Sequence, residues 1–296
     1  MPRSKPKPRA RGLAEGLRAE RRACKLAMVE VAAKLGWSEA TLSRMETGLR
    51  NASSEEVAAL LAVYQVTGAR RTKLLEMSRE ADRPAWLEMH SADVPEQAKV
   101  LARYEAEAVR IVESAVNSIP VLLQTSGYAG SLPGVPNLRP ERQSVLDRRS
   151  VPMLLAYVDE AALHRVVGGP RLMAHQLRQL AAMTERAQVE ARVVPFGAGR
   201  HPAGFELLDF ADAGPLVYVE QPGSGLLLDQ AAHVEPYVRA VATLDSVALD
   251  PTRSRRLIEQ LAARYESVVE ARPQVGDFPG QQARLAGQHG DVPVVR

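Results

Sequence analysis

The sequence predicts an all-α N-terminal helix-turn-helix domain of five helices, followed by an α/β (or α+β) C-terminal domain. Two observations lead to this fold class. Residues 26–48 have the spacing of two short helices joined by a tight turn that contains glycine. Beyond about residue 100, apolar β-prone segments alternate with segments of helical periodicity. A chain of 296 residues, 46% hydrophobic and 25% charged, is expected to form about two soluble globular domains.

The turn of the predicted helix pair is centred on Gly36. Val31, Ala32 and Leu35 fall on one face of the leading helix, and the small Ala32 lets the trailing helix approach closely. Gly36 follows the end of that helix, where the backbone usually turns left-handed and a Cβ would clash. Ser38 is then placed to act as the N-cap of the second helix.

The second helix of the pair, predicted over residues 38–47, presents a polar face. Leu42 and Met45 point inward, because they are three residues apart. The outward residues are Glu39, Ala40, Ser43, Arg44 and Thr47. This is the arrangement of a helix that enters the DNA major groove, although an ordinary pair of core helices has the same spacing.

The charge distribution favours nucleic acid as a partner. Residues 1–50 contain twelve Lys and Arg residues against five acidic ones, a surplus of seven positive charges. The whole chain has a net charge of +3, so residues 51–296 carry a net charge of −4. A basic end on a faintly acidic body is typical of a phosphate-binding module attached to a domain that does not bind phosphates.

The N-terminal part divides into an arm and a domain. Residues 1–11 contain five cations, three prolines and no acid, which predicts a disordered basic arm that is either solvated or follows phosphates. The helix-turn-helix domain spans residues 12–83. Its remaining helices are predicted at 12–25, 54–65 and 68–81, and Ser53 with Glu56 forms a capping box at the start of 54–65.

The C-terminal part is predicted to follow a connector at residues 84–99. The α/β domain spans residues 100–270, and a Gly-, Pro- and Gln-rich disordered tail occupies 271–296. Helices are predicted at 97–116, 159–166, 170–186, 235–248 and 252–268. Strands are predicted at 152–158, 191–195, 205–210, 216–220 and 226–228, the last two forming a hairpin.

Composition excludes several classes of function. No apolar run approaches the ~18 residues of a membrane span, and a single cysteine, Cys24, excludes an internal disulfide framework and fits a reducing cytoplasm. The six histidines show no metal-ligand spacing, so we expect no metal site and no cofactor. Asp159 and Glu160 are adjacent, and Asp159 suits an N-cap better than a catalyst. We therefore expect no catalytic residues and no enzyme activity.

Several short segments follow one another in an order typical of a known group of regulators. They are Leu17-Arg18, Leu35-Gly36, Thr41–Gly48, Ile119–Thr125, Tyr128-Ala129, Asp159–Leu163, Val167–Gly169, Gln176-Leu177, Val193–Phe196 and Val217–Glu220. On these segments, from about Leu13 to Tyr265, the chain resembles actinobacterial helix-turn-helix regulators of the phage-repressor-like (XRE) class with a C-terminal domain of uncharacterised function. The resemblance implies DNA-binding transcriptional control in the cytoplasm as a dimer. Some of the group are antitoxin-like regulators encoded beside a small partner protein.

The chain departs from that group at two positions. Relatives usually have Gln near the start of the leading helix, where its amide braces a phosphate or the recognition helix, and the matching residue here is Met28. The recognition helix of phage-type repressors often begins with Gln facing adenine, and the matching outward residue here is Glu39. These changes affect the operator sequence rather than the docking mode.

The candidate base-reading residues are those at the start of the second helix and on its outward face: Glu39, Ala40, Thr41 and Arg44. Glutamate accepts from cytosine N4, arginine donates to guanine O6 and N7, and the alanine or threonine methyl contacts a thymine methyl. Glu39 is equally well interpreted as a favourable charge at a helix N-terminus. The candidate phosphate contacts are Arg18, Arg21, Ser43, Arg50 and Asn51, each of which is equally well interpreted as a solvated surface group.

Taken together, the sequence predicts a sequence-specific transcriptional regulator that binds double-stranded DNA. One such unit makes few contacts, so a homodimer on half-sites about 34–36 Å apart is expected. The C-terminal domain is then the place for dimerisation, effector binding or partner binding. The alternative is an antitoxin-like protein-binding module that binds DNA for autoregulation, and an enzyme in the C-terminal domain is the least favoured hypothesis.

Overall fold

The computed structural model describes residues 7–81, 85–89, 96–132, 142–148, 151–199, 202–221 and 224–270. Residues 1–6 of the predicted arm and the tail predicted at 271–296 lie outside the described residues.

The N-terminal domain consists of the five predicted helices. They are α1 (Pro8–Ala23), α2 (Met28–Leu35), α3 (Glu39–Glu46), α4 (Ser54–Val63) and α5 (Gly68–Arg79). Their shared core is made of fully or almost fully buried side chains, namely Leu13, Leu17, Val31, Leu42, Met45, Val57, Leu60, Leu61, Tyr64, Leu74 and Met77. The capping box is confirmed, since Ser53 Oγ accepts from Glu56 N–H at 3.2 Å and the Glu56 carboxylate accepts from Ser53 N–H at 2.9 Å.

The predicted end of the disordered arm, residue 11, is wrong. Helix α1 begins at Pro8, which occupies its first turn, where the fixed φ of proline favours a helix and no N–H is needed. Ala10 and Arg11 are buried. The composition of this stretch predicts disorder because the stretch has few apolar residues of its own. It is ordered because it packs against apolar surface of the other domain.

The C-terminal domain is built on one mixed sheet of seven strands. The strands are β1 (Ala85–Met89), β2 (Arg110–Ala115), β3 (Met153–Asp159), β4 (Val189–Val194), β5 (Phe205–Asp209), β6 (Leu216–Gln221) and β7 (Ser224–Leu228). Their order across the sheet is β1-β7-β6-β5-β2-β3-β4. Strands β2, β3 and β4 are parallel, and the other neighbours are antiparallel.

The helices of this domain cover both faces of the sheet. They are α6 (Glu96–Glu107), α7 (Ser126–Gly130), α8 (Glu160–His164), α9 (Pro170–Met183), α10 (Ala231–Val247) and α11 (Pro251–Glu270). Helices α6, α9 and α11 share one buried cluster with the N-terminal domain, whereas α10 packs against the opposite face of the sheet. The predicted fold class is confirmed.

Two predicted elements of this region are wrong. The helix predicted at 97–116 ends at Glu107, and β2 follows. Residues 111–115 of that strand are all buried in the middle of the sheet, so the strand lacks the alternation of buried and exposed residues that distinguishes a strand from a helix. The connector predicted at 84–99 contains β1, which pairs with β7 from Ala85 opposite Leu228 to Met89 opposite Ser224.

The two domains are packed directly against each other. Arg103 Nη1 on α6 lies 2.5 Å from a carboxylate oxygen of Glu15 on α1. Arg11 of α1 lies over the ring of Tyr104 on α6, 4.2 Å from its centroid, and its Nη2 is 3.0 Å from the Glu107 carboxylate. Helix α1 is therefore part of the N-terminal domain and of the domain junction at once.

Glycine is required at position 12 of this junction because the Trp86 ring lies very close to the backbone of α1 there. A Cβ added at Gly12 would lie 2.2 Å from a ring carbon of Trp86, the buried tryptophan of β1. The indole therefore rests on the bare backbone of α1, and the edge strand that the sequence suggested was a connector fixes the position of the first helix.

Candidate nucleic-acid interface

The helix-turn-helix turn has the geometry expected from its residues. Gly36 follows α2 with φ 68°, in the left-handed region that glycine adopts without strain. The N–H groups of Gly36 and Trp37 donate to the carbonyls at the end of α2, Trp37 N to Ala32 O at 2.9 Å. Val31 and Ala32 are buried, so the leading helix packs as predicted.

Ser38 caps α3, as predicted. Its Oγ accepts from Thr41 N–H at 3.2 Å and lies 2.9 Å from Thr41 Oγ1. The hydroxyl of Thr41 is thus engaged with the cap, and its side chain is half-buried. Of the four predicted base-reading residues, Thr41 is the one whose side chain contacts the cap of its own helix.

The other three base-reading candidates lie together on the surface. Glu39, Ala40 and Arg44 are exposed, on the first two turns of α3. Leu42 and Met45 are buried on the opposite side. Helix α3 therefore offers solvent one carboxylate, one methyl group and one guanidinium within about 8 Å of helix length, at the rise of ~1.5 Å per residue.

Arg21, predicted as a phosphate contact, has its side chain engaged inside the domain. Its Nε and Nη2 donate to the two carboxylate oxygens of Glu46 at 2.7 and 2.8 Å, and its Nη1 donates to Leu26 O at 2.8 Å. Glu46 is 1% exposed. The hydrogen bonds to Glu46 raise the pKa of Arg21, and burial together with the Glu46 charge raises the pKa of the adjacent Tyr64 phenol.

The remaining phosphate candidates are more open. Arg18 is half-buried, with Nε 4.0 Å from Glu46. Arg50 is 39% exposed at the side chain and forms an ion pair with Glu56 at 2.6 Å. Asn51 is exposed and Ser43 is half-buried.

Three further cations between residues 12 and 50 are exposed and were not among the predicted phosphate contacts. They are Arg22, at the end of α1, Lys25, whose φ is 56°, and Lys34, on α2. The charge count of residues 1–50 included them. It could not separate cations that face solvent from one that, like Arg21, neutralises a buried carboxylate.

The C-terminal residues singled out by the sequence have structural partners. Asp159 caps α8, its Oδ1 accepting from Ala161 N–H at 2.8 Å, as predicted. The neighbouring Glu160 accepts from Phe196 N–H at 2.9 Å. In the described ranges no group of three or more His, Cys, Asp or Glu residues could hold a metal ion. No helix within those ranges has the length and hydropathy needed to cross a membrane.

A five-helix domain with a capped, solvent-facing α3 after a glycine turn defines a DNA-binding protein of the helix-turn-helix class. Residues 13–74 match the family described as a helix-turn-helix domain. Residues 98–260, more than half of the chain, match the domain of unknown function DUF5753, and the chain belongs to this family. No curated protein matches the chain.

Proposed function

We propose that the protein is a sequence-specific transcriptional regulator that binds double-stranded DNA with α3 in the major groove. The observation that carries the proposal is the two-sided character of α3. Glu39, Ala40 and Arg44 are exposed on one side of this helix, while Leu42 and Met45 are buried on the other. A helix of this kind fits a major groove about 12 Å wide without losing its packing.

The chemistry of the exposed side suits base reading. Arg44 can donate two hydrogen bonds to guanine O6 and N7, and the Ala40 methyl can contact a thymine methyl. Glu39 can accept from cytosine N4. Because Glu39 also lies in the first turn of α3, its charge interacts favourably with the helix dipole whether or not DNA is bound.

Contacts within the N-terminal domain already hold α3 in position, so they do not have to form when DNA binds. Arg21 joins α1 to Glu46 at the last residue of α3, and Ser38 caps the first turn. A helix held at both ends loses little conformational freedom when it docks, which favours affinity. We therefore assign Arg21 to the support of α3 and the phosphate contacts to Ser43, Arg50 and Asn51, with Arg18 at the edge of the surface.

We further infer that the protein acts as a homodimer and that its C-terminal domain binds rather than catalyses. One α3 offers only three exposed base-reading side chains, and a two-fold pair on half-sites about 34–36 Å apart doubles that number. The use of Asp159 as a helix cap supports a non-catalytic assignment of the Asp159-Glu160 pair.

In vitro selection from randomised duplexes tests the proposal with the full-length protein. Wild type is expected to enrich a two-fold symmetric motif, and Arg44→Ala is expected to lose preference at one base pair of each half-site, worth about 1–3 kcal/mol. Arg239→Ala is the matched control, because Arg239 forms an exposed ion pair with Glu235 on α10. Absence of any enriched motif, or equal loss in both variants, would contradict the proposal.

A second candidate function is binding of a small partner protein, as in antitoxin-like regulators. One observation favours it: Phe196 is 61% exposed, its ring lies 5.7 Å from the His164 ring between centroids with a 36° tilt, and its backbone N–H donates to Glu160. Rigidly placed exposed aromatics are typical of protein interfaces. Co-purification of a stoichiometric small protein that Phe196→Ser releases would support this function.

A further inference from the structure

The segment that starts at Ile119 is fixed by side chains although little of it is regular structure. Gln124 Nε2 donates to Ile119 O at 2.7 Å, and the Tyr128 hydroxyl accepts from Ile119 N–H at 3.2 Å. Both side chains are buried. This segment is among those that carry the resemblance to the regulator group, and the helix-turn-helix function does not use it.

Two further glutamines hold the same segment from other elements. Gln143 Nε2 lies within 3.4 Å of three of its carbonyls, the shortest contact being 2.6 Å to Gln124 O. On α9, the fully buried Gln176 accepts from Thr125 N–H at 2.7 Å and donates to Leu123 O at 2.9 Å. A loop held by three side-chain amides, two of them buried, is pre-organised, as binding loops are.

This segment forms one wall of an open groove of about 430 Å³. The volume lies in the range of sites for small ligands. The apolar lining comes from Leu122, Leu146 and Met183. The polar lining includes Asp147 on the turn Ser144–Asp147 and Arg186 just after α9.

The two charged groups of the groove are held only loosely to each other. Arg186 Nη2 lies 3.3 Å from Asp147 Oδ1, and Nη1 lies 3.4 Å from Leu146 O. The Asp147 side chain is 72% exposed and the Arg186 side chain 45%. An exposed pair with long contacts contributes little stability, so a ligand can separate it at small cost.

We propose that this groove is the effector site of the regulator and that it takes a free α-amino acid with an apolar side chain. The ligand ammonium group pairs with Asp147, its carboxylate pairs with Arg186, and its side chain lies on Leu146 and Met183. A group that carries both charges replaces the Asp147–Arg186 pair with two new ones, whereas a simple anion would face the Asp147 carboxylate. This inference rests on the proposed function, because an effector site implies a regulator.

A buried ion cluster connects the groove wall to the DNA-binding domain. Val121 N–H in the groove segment donates to Glu113 Oε1 of β2 at 2.8 Å. Arg142, the residue before Gln143, lies 2.7 Å from both Glu105 of α6 and Glu206 of β5. Glu105 follows Tyr104 on α6, and the Arg11 guanidinium of α1 lies over the Tyr104 ring.

The cluster is sensitive to small displacements because its ionisable groups are buried together. The guanidinium of Arg142 contacts the carboxyl groups of Glu105 and Glu206 and interacts electrostatically with that of Glu113, and all three glutamates are at least nine-tenths buried. Each also keeps one oxygen with no hydrogen bond in the described part of the chain. A shift of Arg142 when a ligand contacts the neighbouring Gln143 would therefore change the position of Glu105, and with it the face of α6 that contacts α1.

Binding of defined probes tests the site. The thermal unfolding midpoint of the full-length protein is measured with millimolar Leu, Ile, Val, Met, Phe and Trp, and the amino acid with the largest shift is then titrated. At least one is expected to raise the midpoint, with affinity falling at least about tenfold in Asp147→Asn and in Arg186→Ala. The N-acetyl and the amide derivatives of the same amino acid, which each lack one charge, are expected to bind at least about tenfold more weakly.

Arg178→Ala is the matched control, since Arg178 lies on α9 but forms an exposed pair with Glu266 away from the groove. No stabilisation by any of the six amino acids would overturn the proposal. If the N-acetyl and amide derivatives bind as tightly as the free amino acid, the ligand class is overturned. If Asp147→Asn and Arg186→Ala bind the amino acid as tightly as wild type, the site is overturned.

The regulatory link is tested separately on DNA. Affinity for the selected duplex is expected to change at least threefold, about 0.7 kcal/mol at RT ≈ 0.59 kcal/mol, on saturation with the amino acid, in wild type but not in Arg186→Ala. An unchanged DNA affinity with a bound amino acid would overturn the link. Loss of DNA binding without any ligand would instead count against the proposed function, so the two failures are distinguishable.

Discussion

Arg21 and Glu46, 25 positions apart in the sequence, form a two-pronged ion pair with contacts of 2.7 and 2.8 Å that fastens α1 to the end of α3. The carboxylate is almost completely buried, whereas the guanidinium reaches the surface at 13% side-chain exposure. The sequence predicts Arg21 as a phosphate contact. In this pair, its side chain instead stabilises the position of α3, the helix proposed to read bases.

Arg21→Ala is expected to destabilise the protein by about 3–5 kcal/mol, because the buried Glu46 carboxylate loses both hydrogen bonds from Arg21 and keeps only the longer contact with Arg18. Urea unfolding followed by circular dichroism measures the loss. Arg178→Ala, which removes an exposed pair with Glu266 at 2.6 Å, is the control and is expected to cost at most about 1 kcal/mol. Unchanged stability with a weaker and less salt-dependent DNA affinity would return Arg21 to the phosphate role that the sequence suggested.

Glu39→Gln is expected to change the base selected at one position of each half-site, because glutamine pairs with adenine whereas glutamate accepts from cytosine. In vitro selection with both proteins measures the change. If Glu39 acts only through the helix dipole, the selected motif stays the same and the affinity for all duplexes rises as one negative charge is lost.

Gly12→Ala is expected to destabilise the domain junction, because its Cβ would lie 2.2 Å from the Trp86 ring. The indole must move off α1, and we expect a loss of about 1–3 kcal/mol in thermal or urea unfolding. Gly130→Ala is the matched control, since nothing lies within 4 Å of a Cβ at that position. Equal stability of the two variants would show that α1 and β1 are not held together by this contact.

Stability is expected to fall as the pH rises from about 5 to 8, owing to Glu113. Burial raises the pKa of this carboxyl from 4.5 to about 7, against the opposing effect of Arg142 and of the Val121 N–H, while Glu105 and Glu220 add to the rise. The pKa of Glu206 is also raised by burial and by Glu105. The folded state therefore binds more protons than the unfolded state between pH 4.5 and 7, so its stability is greatest below that window and is lost through it.

Glu113→Gln is expected to remove about 3 kcal/mol of this pH dependence, since a pKa raised from 4.5 to about 7 corresponds to about 1.4 kcal/mol per unit of pKa. The amide oxygen can still accept from Val121 N–H, which makes the variant nearly isosteric. Urea unfolding at pH 5, 6, 7 and 8 measures the slope, with the surface variant Glu185→Gln as control. An identical slope in wild type and Glu113→Gln would contradict the assignment.

Local chemistry made the helix-turn-helix unit predictable from the sequence. The left-handed turn at Gly36, the Ser38 cap and the Ser53–Glu56 capping box each depend on residues within a few positions of one another. The same holds for the Asp159 cap of α8. Each of these contacts joins residues that are close in the sequence, so it does not depend on the packing of distant segments.

Tertiary contacts account for what the sequence did not predict. Ala85–Met89 forms strand β1 because it pairs with β7 at the edge of the sheet. Strand β2 forms because it pairs with both β3 and β5 at the centre of the sheet. The Arg21–Glu46 pair and the cluster around Arg142 join residues far apart in the chain. No periodicity or spacing rule relates such residues.

The salt dependence of DNA affinity tests the central claim most directly. Fluorescence anisotropy of a labelled duplex is measured with the full-length protein from about 50 to 200 mM salt, for the selected sequence and a scrambled one. The account predicts that log affinity falls linearly with log salt on both duplexes, by ~0.9 per phosphate contacted. It also predicts that Arg44→Ala brings the affinity for the selected duplex down towards that for the scrambled one. Affinity for neither duplex at any salt concentration, or affinity that salt does not change, would contradict it.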